Sequence, residues 1–530
     1  MVKKTIIPIC LLWVVTMCKT DSALPPNASE HKEWFELVSE QGSYLALTGF
    51  DESWTNFYYG TNARDSRYID LYYYNGSTGE SAIVFENTMG FVLPEGNHYS
   101  KGISQNEDVF VMIKYLSNKH SDLYAYHRKI GRLHKLNIES DSFTLLTPMR
   151  FVRNKLYYLS DYKSEFPKLF SYDFERGSSS LLLEPDALIE EIVAINDDEI
   201  AVLVNDKGSS QIAALNLNSL STREIFRGTG YIEPGTIRYS DSLHVLTGQY
   251  SSPVEPLLEI QVDPGTNVQL SDSVAGNLKY DLISYISEGQ IIHGHFIWSN
   301  EMTRDVPLVT FIHGGPEIQM PNSYNDFLIA IVKSGIAVFV PNIRGSSGYG
   351  KSFFHADDGA HDKTGPVDIK NGVDLMLNKY PFLNRDRVFL NGLSYGGYIV
   401  YHTLIQYPGV FRGGIVVNGV VDYDIALSNM PDFFAAILNM KLEEFKGPSL
   451  DYDLLDASMF VQGNKLRNKL LIFQGREDEL VPFSAVDSLV KQLNSDYIKY
   501  IQVNDLGHET SDLETGRMIT EKSIEFVLAR

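Results

Sequence analysis

Ser394 lies in the run Gly392-Leu393-Ser394-Tyr395-Gly396, with one more glycine at Gly397. A serine hydroxyl is a weak nucleophile until a neighbouring base takes its proton, and that base needs a carboxylate to orient it. The G-x-S-x-G spacing supplies the geometry for such chemistry. A turn this sharp would drive side chains at the glycine positions into nearby backbone, while the serine is forced outward into a strained, accessible position. Acyl transfer through a serine ester is the chemistry these residues could do.

The elements around Ser394 fit that reading. Val388-Phe389-Leu390 is an apolar, strand-like run before the turn, and Tyr398 to Gln406 reads as a helix after it. In this architecture the order along the chain is serine, then acid, then histidine. Only His402 and His508 follow Ser394. His402 lies inside the helix after the turn and precedes every strand-end loop that could carry the acid, so His508, in Asp505-Leu506-Gly507-His508-Glu509, is the base by elimination. The strand Lys469 to Phe473 leads into Gln474-Gly475-Arg476-Glu477-Asp478-Glu479-Leu480-Val481-Pro482, where the spacing leaves Glu477, Asp478 and Glu479 all open as the acid. The strand Leu308 to Ile312 ends in His313-Gly314-Gly315-Pro316, where glycine lets backbone N–H groups approach a substrate oxygen. The N–H of Tyr395, next to the nucleophile, is the expected second donor to that oxygen. His313 comes too early in the chain order to transfer the proton and is expected to brace its loop.

From about Lys279 onward, strands alternate with helices. A hairpin through Ser287-Glu288-Gly289 comes first, and a helix from about Asp512 to Leu528 closes the series. This is the pattern of a mostly parallel sheet covered by helices, with chemistry at the carboxyl ends of its strands. The amino-terminal half reads differently. Between about Glu33 and Asp263 a short strand recurs, anchored by Leu71, Leu123, Leu169, Ile212 and Leu257 at intervals of 52, 46, 43 and 45 residues. A period of roughly 45 residues with several strands per repeat is what propeller blades give, each burying its faces against its neighbours. Five repeats are legible, and the region Trp34 to Gly60 could supply another. The many tyrosines are expected to pack between blades.

At 530 residues the chain calls for more than one core. Its net charge of -22 argues against nucleic acid or an anionic membrane as partner. Lys3 and Lys4 followed by the apolar stretch Thr5 to Met17 read as an export signal ending near Ala23, too short to span a bilayer comfortably. This predicts a periplasmic or extracellular protein. Lipid anchoring at Cys18 fits less well, because Met17 precedes it. The only cysteines, Cys10 and Cys18, both fall in that segment, so the remainder carries no disulfide. His355 and His361 near Asp357, Asp358 and Asp362 are too irregularly spaced for a metal set and read as a solvated polar loop. No cofactor fingerprint is present, so no cofactor and no metal are expected.

Six stretches together resemble the prolyl oligopeptidase family of serine peptidases, and most of all its acylaminoacyl peptidase and dipeptidyl peptidase branches. They are Ser287 to Gly294, His313 to Pro316, Asn342 to Gly350, Gly392 to Tyr398, Gly475 to Pro482, and Gly507-His508. The resemblance covers about Tyr280 to Arg530. It implies that the acid is Asp478, that Gly315 and Tyr395 supply the oxyanion donors, and that a propeller caps the site and admits short peptides. The expected fold is α/β and all-β, with an export signal over 1–23, a β-propeller over 33–275 and an α/β-hydrolase domain over 276–530. The resemblance also places Asn418 to Tyr423 against the pocket for the residue before the cleaved bond. Tyr398, Val420 and Tyr423, with Tyr395, would then line an apolar slot, although Val420 and Tyr423 fit the core equally well. Glu190-Glu191 is by sequence a pair like the paired glutamates of dipeptidyl peptidases, but it lies in an ordinary blade segment and reads as a solvated strand face. The propeller region is short for the family, and Gln474 stands where many members have histidine. The expectation is a serine peptidase of short peptides, without nucleic-acid partner or membrane span, and with a homo-oligomer left open. A carboxylesterase using the same residues and a catalytically silent propeller binding protein are the alternatives.

Overall fold

The computed structural model describes residues 45–50, 56–93, 103–104, 108–117, 119–136, 138, 146–152, 155–266, 268–269, 276–421, 468–493, 496–508 and 512–529. The expected signal segment, Cys18 and Tyr423 lie outside the described residues.

Among the described residues the amino-terminal half is a succession of five small sheets, antiparallel except where Phe226 and Arg227 pair in parallel with Val268 and Gln269. Each repeat marker seen in the sequence is one strand of its own sheet: Asp70–Asn75, His120–His127, Lys168–Asp173, Ser209–Asn216 and Glu255–Val262. The strands run as meanders because their connections are short and polar, as at Lys207 and Gly208, both of which take positive φ. Successive sheets share their cores. Tyr58 and Leu71 of the first sheet pack with Phe110 and Met112 of the second, while Val111 and Leu123 of the second pack with Leu156 and Tyr158 of the third. The tyrosines do pack the blades: Tyr58 meets Phe110 edge-on at 5.2 Å and Tyr59 stacks on Tyr72 at 5.4 Å. One expectation changes here. Glu190, in the strand Leu188–Ala194, is buried, so the Glu190-Glu191 pair is not a solvated face.

Among the described residues the carboxy-terminal half is built on one eight-stranded sheet. Its strands are β1 (Leu278–Ser287), β2 (Gln290–Ser299), β3 (Val306–Ile312), β4 (Ala337–Asn342), β5 (Leu383–Leu393), β6 (Gly413–Val417), β7 (Lys469–Gly475) and β8 (Ile498–Val503). The order across the sheet is β1-β2-β4-β3-β5-β6-β7-β8. The pairs β1/β2 and β2/β4 are antiparallel, and every later pair is parallel. Glu288 at φ 46 and Gly289 at φ 85 form the tight turn of the β1/β2 hairpin. The central strands are buried along nearly their whole length, as a sheet covered on both faces requires.

Among the described residues the longer covering helices are α1 (Asp326–Lys333), α2 (His361–Lys379), α3 (Tyr395–Gln406), α4 (Phe483–Leu493) and α5 (Leu513–Leu528). The sequence reading missed α1, a short helix capped by Asn325 accepting from the N–H of Leu328 at 3.1 Å. It also began α2 near Pro366, whereas the helix starts at His361 and carries Pro366 inside it. Proline has no N–H to offer the carbonyl four residues back, and the Gln406 side chain donates to that Asp362 oxygen instead.

By compactness the described residues fall into two units, one of 45–203 with 214–223 and the other of 204–213, 224–421 and 468–529. Among the described residues no helix is long and apolar enough to cross a membrane.

Candidate active site

β5 enters the turn at Gly392 and α3 leaves it at Tyr395, and sterics decide what can stand between them. A Cβ on Gly392 would lie 2.2 Å from the carbonyl oxygen of Gly396, and one on Gly396 would lie 2.2 Å from that of Ile312. Ser394 itself takes φ 54, in the left-handed region that costs an ordinary residue about 1–2 kcal/mol. Main-chain bonds to the next strand hold it there: its N–H donates to Val417 O at 3.0 Å, and its own carbonyl accepts from the N–H of Val420 at 3.3 Å. The strain is the condition for presenting the hydroxyl at the sheet edge.

His508, in the loop after β8, meets Ser394 from the other side. Its Nε2 lies 3.0 Å from Ser394 Oγ, and its Nδ1 lies 3.0 Å from both carboxylate oxygens of Asp478. A carboxylate only accepts, so the proton sits on Nδ1, and Nε2 is left free to take the serine hydroxyl proton. Asp478 is buried, whereas Glu477 and Glu479 on either side are exposed. One oxygen of Asp478 also accepts from the N–H groups of Leu480 at 2.9 Å and Val481 at 2.8 Å, which fixes the carboxylate to its own loop. The acid and base loops are joined by backbone bonds, Arg476 N–H to Val503 O at 2.9 Å and Glu477 N–H to Leu506 O at 3.2 Å. Gly475 permits this, since a Cβ there would lie 2.2 Å from Leu506 O.

Of the two glycines after β3, Gly314 lies beside Ser394. A Cβ on Gly314 would be 3.5 Å from Ser394 Cβ, and Gly315 takes φ 125, which side chains rarely adopt. Tyr395, directly after Ser394, is the first residue of α3. His313 braces this loop, with Nδ1 2.8 Å from Gly314 O and Nε2 3.0 Å from Ser346 Oγ. Burial pushes its pKa down. His402 is buried inside α3 against the Tyr398 ring at 4.4 Å, and burial pushes its pKa down to about 4. It takes no part in the hydrogen-bonded chain from Ser394 to Asp478.

The residues assigned to the substrate slot divide. Tyr398 and Val420 are both buried within the domain core, Tyr398 stacking on Tyr395 at 5.9 Å. The polar loop of His355 and His361 is not the solvated loop the spacing suggested. Asp357 is 2% exposed, and His361 Nδ1 lies 2.7 Å from Asp357 and 3.1 Å from the Tyr395 hydroxyl. Burial works against charge on His361, but Asp357 outweighs it, with help from Asp358 and Glu317, and raises its pKa. Among the described residues no group of three or more ligand-type side chains could hold a metal ion.

A further residue went unassigned in the sequence reading. Asn418, at the end of β6, sends its side-chain amide to the loops of both His508 and Asp478. Its signals in the sequence are its place directly after an apolar strand and at the head of the stretch Asn418 to Tyr423, neither of which points to a bridging role. Arg344, by contrast, lay in a recognised motif. It is buried in a bidentate pair with Asp368 of α2 and bonds Glu288 in the β1/β2 turn.

Residues 322–529 match the prolyl oligopeptidase family, so the resemblance carried by the motifs stands. A dipeptidyl aminopeptidase BIII of Pseudoxanthomonas mexicana is 29% identical over 208 residues, covering 38% of this chain and 30% of the relative. The acylamino-acid-releasing enzyme of Homo sapiens is 29% identical over 182 residues, covering 34% of this chain and 25% of the relative. The match thus spans under a third of either relative's own length. Among solved structures, a puromycin hydrolase superposes with a TM-score of 0.74 at 18% identity, covering 89% of this chain and 76% of that one. A Mycobacterium tuberculosis puromycin-hydrolyzing peptidase gives 0.73 at 15% identity, covering 90% and 78%. These likenesses establish the fold: a β-propeller followed by an α/β-hydrolase domain.

Proposed function

We propose, from a carboxy-terminal portion of the prolyl oligopeptidase family, that this chain is a serine peptidase acting on short peptides. The hydrogen-bonded series Ser394, His508, Asp478 carries the reading, because each contact has the length and polarity its step requires. Ser394 Oγ attacks the peptide carbonyl while His508 Nε2 takes its proton. The N–H groups of Gly315 and Tyr395 receive the developing negative charge. His508 then returns the proton to the leaving amine, the amine departs, and an acyl ester remains on Ser394. Water, deprotonated by the same imidazole, releases the acid. Asp478 stays ionised throughout, holding the tautomer and stabilising the imidazolium.

On the same reading residues 33–275 form the propeller and 276–530 the peptidase domain, and 1–23 directs export. Tyr398, Val420 and Tyr423 give the slot before the cleaved bond its apolar character. Burial of Tyr398 and Val420 supports a role as the slot's floor more than as direct contacts.

A fluorophosphonate probe, which reacts only with an activated serine, tests the chemistry. The expected result is stoichiometric labelling that disappears in Ser394→Ala. A panel of aminoacyl, dipeptidyl and N-acyl amides beside simple esters tests the substrate class. Turnover of esters with no amide cleaved would replace the peptidase reading with a carboxylesterase, and no serine-dependent label would leave a binding protein.

A further inference from the structure

Asn418 stands where the three loops of the site meet. It follows β6, the strand lying between β5, which ends at the nucleophile, and β7, which leads to the acid. Val417, immediately before it, and Val420, two residues after it, both bond the main chain of Ser394. Its side chain reaches the other two loops. Nδ2 donates to Gly507 O at 2.8 Å and to His508 O at 2.9 Å, and Oδ1 accepts from the N–H of Gly475 at 2.8 Å. Its own N–H donates to Phe473 O at 3.0 Å.

The chemistry of this position is restrictive. Two carbonyl oxygens and one N–H converge on a fully buried side chain, and a carboxamide offers two donors and an acceptor on one short planar group. Aspartate would set a carboxylate against two carbonyl oxygens, leucine would leave three main-chain groups unpaired, and serine has one donor. Asn418 also holds φ 48, a left-handed conformation that asparagine tolerates better than most residues.

We propose that Asn418 is a positioning residue for the reaction, setting the His508 loop in fixed register with the acid strand and the nucleophile. The proposal rests on the Ser394, His508, Asp478 reading. Every catalytic loop is then referred to one residue at the end of β6, and errors in placing the imidazole are not added up through two long connections. Displacement of a catalytic group by about 1 Å can cost about 100-fold in rate.

Two variants test this. Asn418→Gly keeps the positive φ and removes only the amide, while Asn418→Asp keeps the shape and the acceptor. With both proteins folded at the assay temperature by circular dichroism, kcat and the rate of fluorophosphonate labelling should fall together by about 100-fold, with KM within about 3-fold of the parent. Asn418→Asp should carry a further signature. Its activity relative to wild type should rise as pH falls from 8 to 5.5, because protonation gives the carboxyl a hydrogen to donate. A purely destabilising change would give a flat or falling ratio, and that result in Asn418→Asp overturns the proposal even if Asn418→Gly does not fold. A folded Asn418→Gly with kcat within about 3-fold of wild type also overturns it. Wild type without Ser394-dependent label would instead remove the reading on which the proposal stands.

Discussion

Ser394 Oγ and His508 Nε2 lie 3.0 Å apart although 114 positions separate the two residues in the chain. Nothing between them is local. β6, β7 and β8 have to be laid side by side in parallel register before the hydroxyl and the imidazole can meet.

On the proposed mechanism the pair works as a unit, so its members should fail together. Ser394→Ala and His508→Ala are each expected to lower kcat by about 10⁴- to 10⁶-fold, and the double variant should be no worse than the poorer single one. Steady-state rates on a cleaved amide, checked by active-site labelling, decide the matter. Additive losses would mean that the two act separately.

Asp478→Asn preserves the shape of the acid but can present an N–H to the imidazole, which favours the wrong tautomer. A loss in kcat of about 10⁴-fold is expected with little change in KM. Glu477→Gln and Glu479→Gln, at exposed neighbours, should retain kcat within about 2-fold, since neither touches His508. A comparable loss at either glutamate would reassign the acid.

The elbow glycines should be intolerant for steric reasons, not merely conformational ones. Gly396→Ala would put a Cβ 2.2 Å from Ile312 O and 2.7 Å from His313 O, so backbone must move. A stability loss of about 2 kcal/mol or more is expected, together with loss of the fluorophosphonate label. Gly335→Ala is the control, having φ 86 with nothing within 4 Å of the added methyl, and should cost only about 1–2 kcal/mol of strain. Urea midpoints of the two variants give the comparison.

Arg344 and Asp368 are a buried pair whose partners depend on one another. Arg344→Met leaves the Asp368 carboxylate buried without its cation, and a loss of about 3–5 kcal/mol is expected. Adding Asp368→Asn should recover part of it, because the charge that needed pairing is gone. A double-mutant cycle on thermal unfolding measures the coupling.

Two histidines should make the protein acid-sensitive without any part in the chemistry. Burial holds His295 and His402 neutral, with pKa values pushed down to about 4. Unfolded, each takes a proton near pH 6.5. Between these values the unfolded state binds more protons, so the stability present above pH 6.5 is lost as pH falls toward 4. The slope is about 1.4 kcal/mol per pH unit for each residue. His402→Leu should flatten this slope in denaturant titrations at pH 7, 6 and 5, and an unchanged slope would exclude the residue as a source.

Much of the site can be read from neighbouring residues. The elbow glycines reveal themselves because the clashes they avoid are set by a turn five residues long, and chain order alone leaves His508 as the base. The blade repeats are legible because strand and turn alternate over short distances. What was misread depended on distant partners. Pro366 signalled a helix start, yet α2 begins earlier because Gln406 satisfies the carbonyl that proline leaves open. The histidine and aspartate loop looked solvated, yet Asp357 and His361 are drawn under Tyr395.

The sequence by itself singled out Ser394 as candidate nucleophile, His508 as candidate base and the alternation of strands and helices that carries them, because these follow from local sterics, spacing and order. It left Glu477, Asp478 and Glu479 equivalent until the family resemblance favoured one. Their difference is physical only after folding, when one side chain is buried against an imidazole and the other two face water. Asn418 shows the same limit more sharply. Its partners, Gly475, Gly507 and His508, lie 57 to 90 positions away, and only the parallel packing of β6 and β7 brings their main-chain groups to one amide.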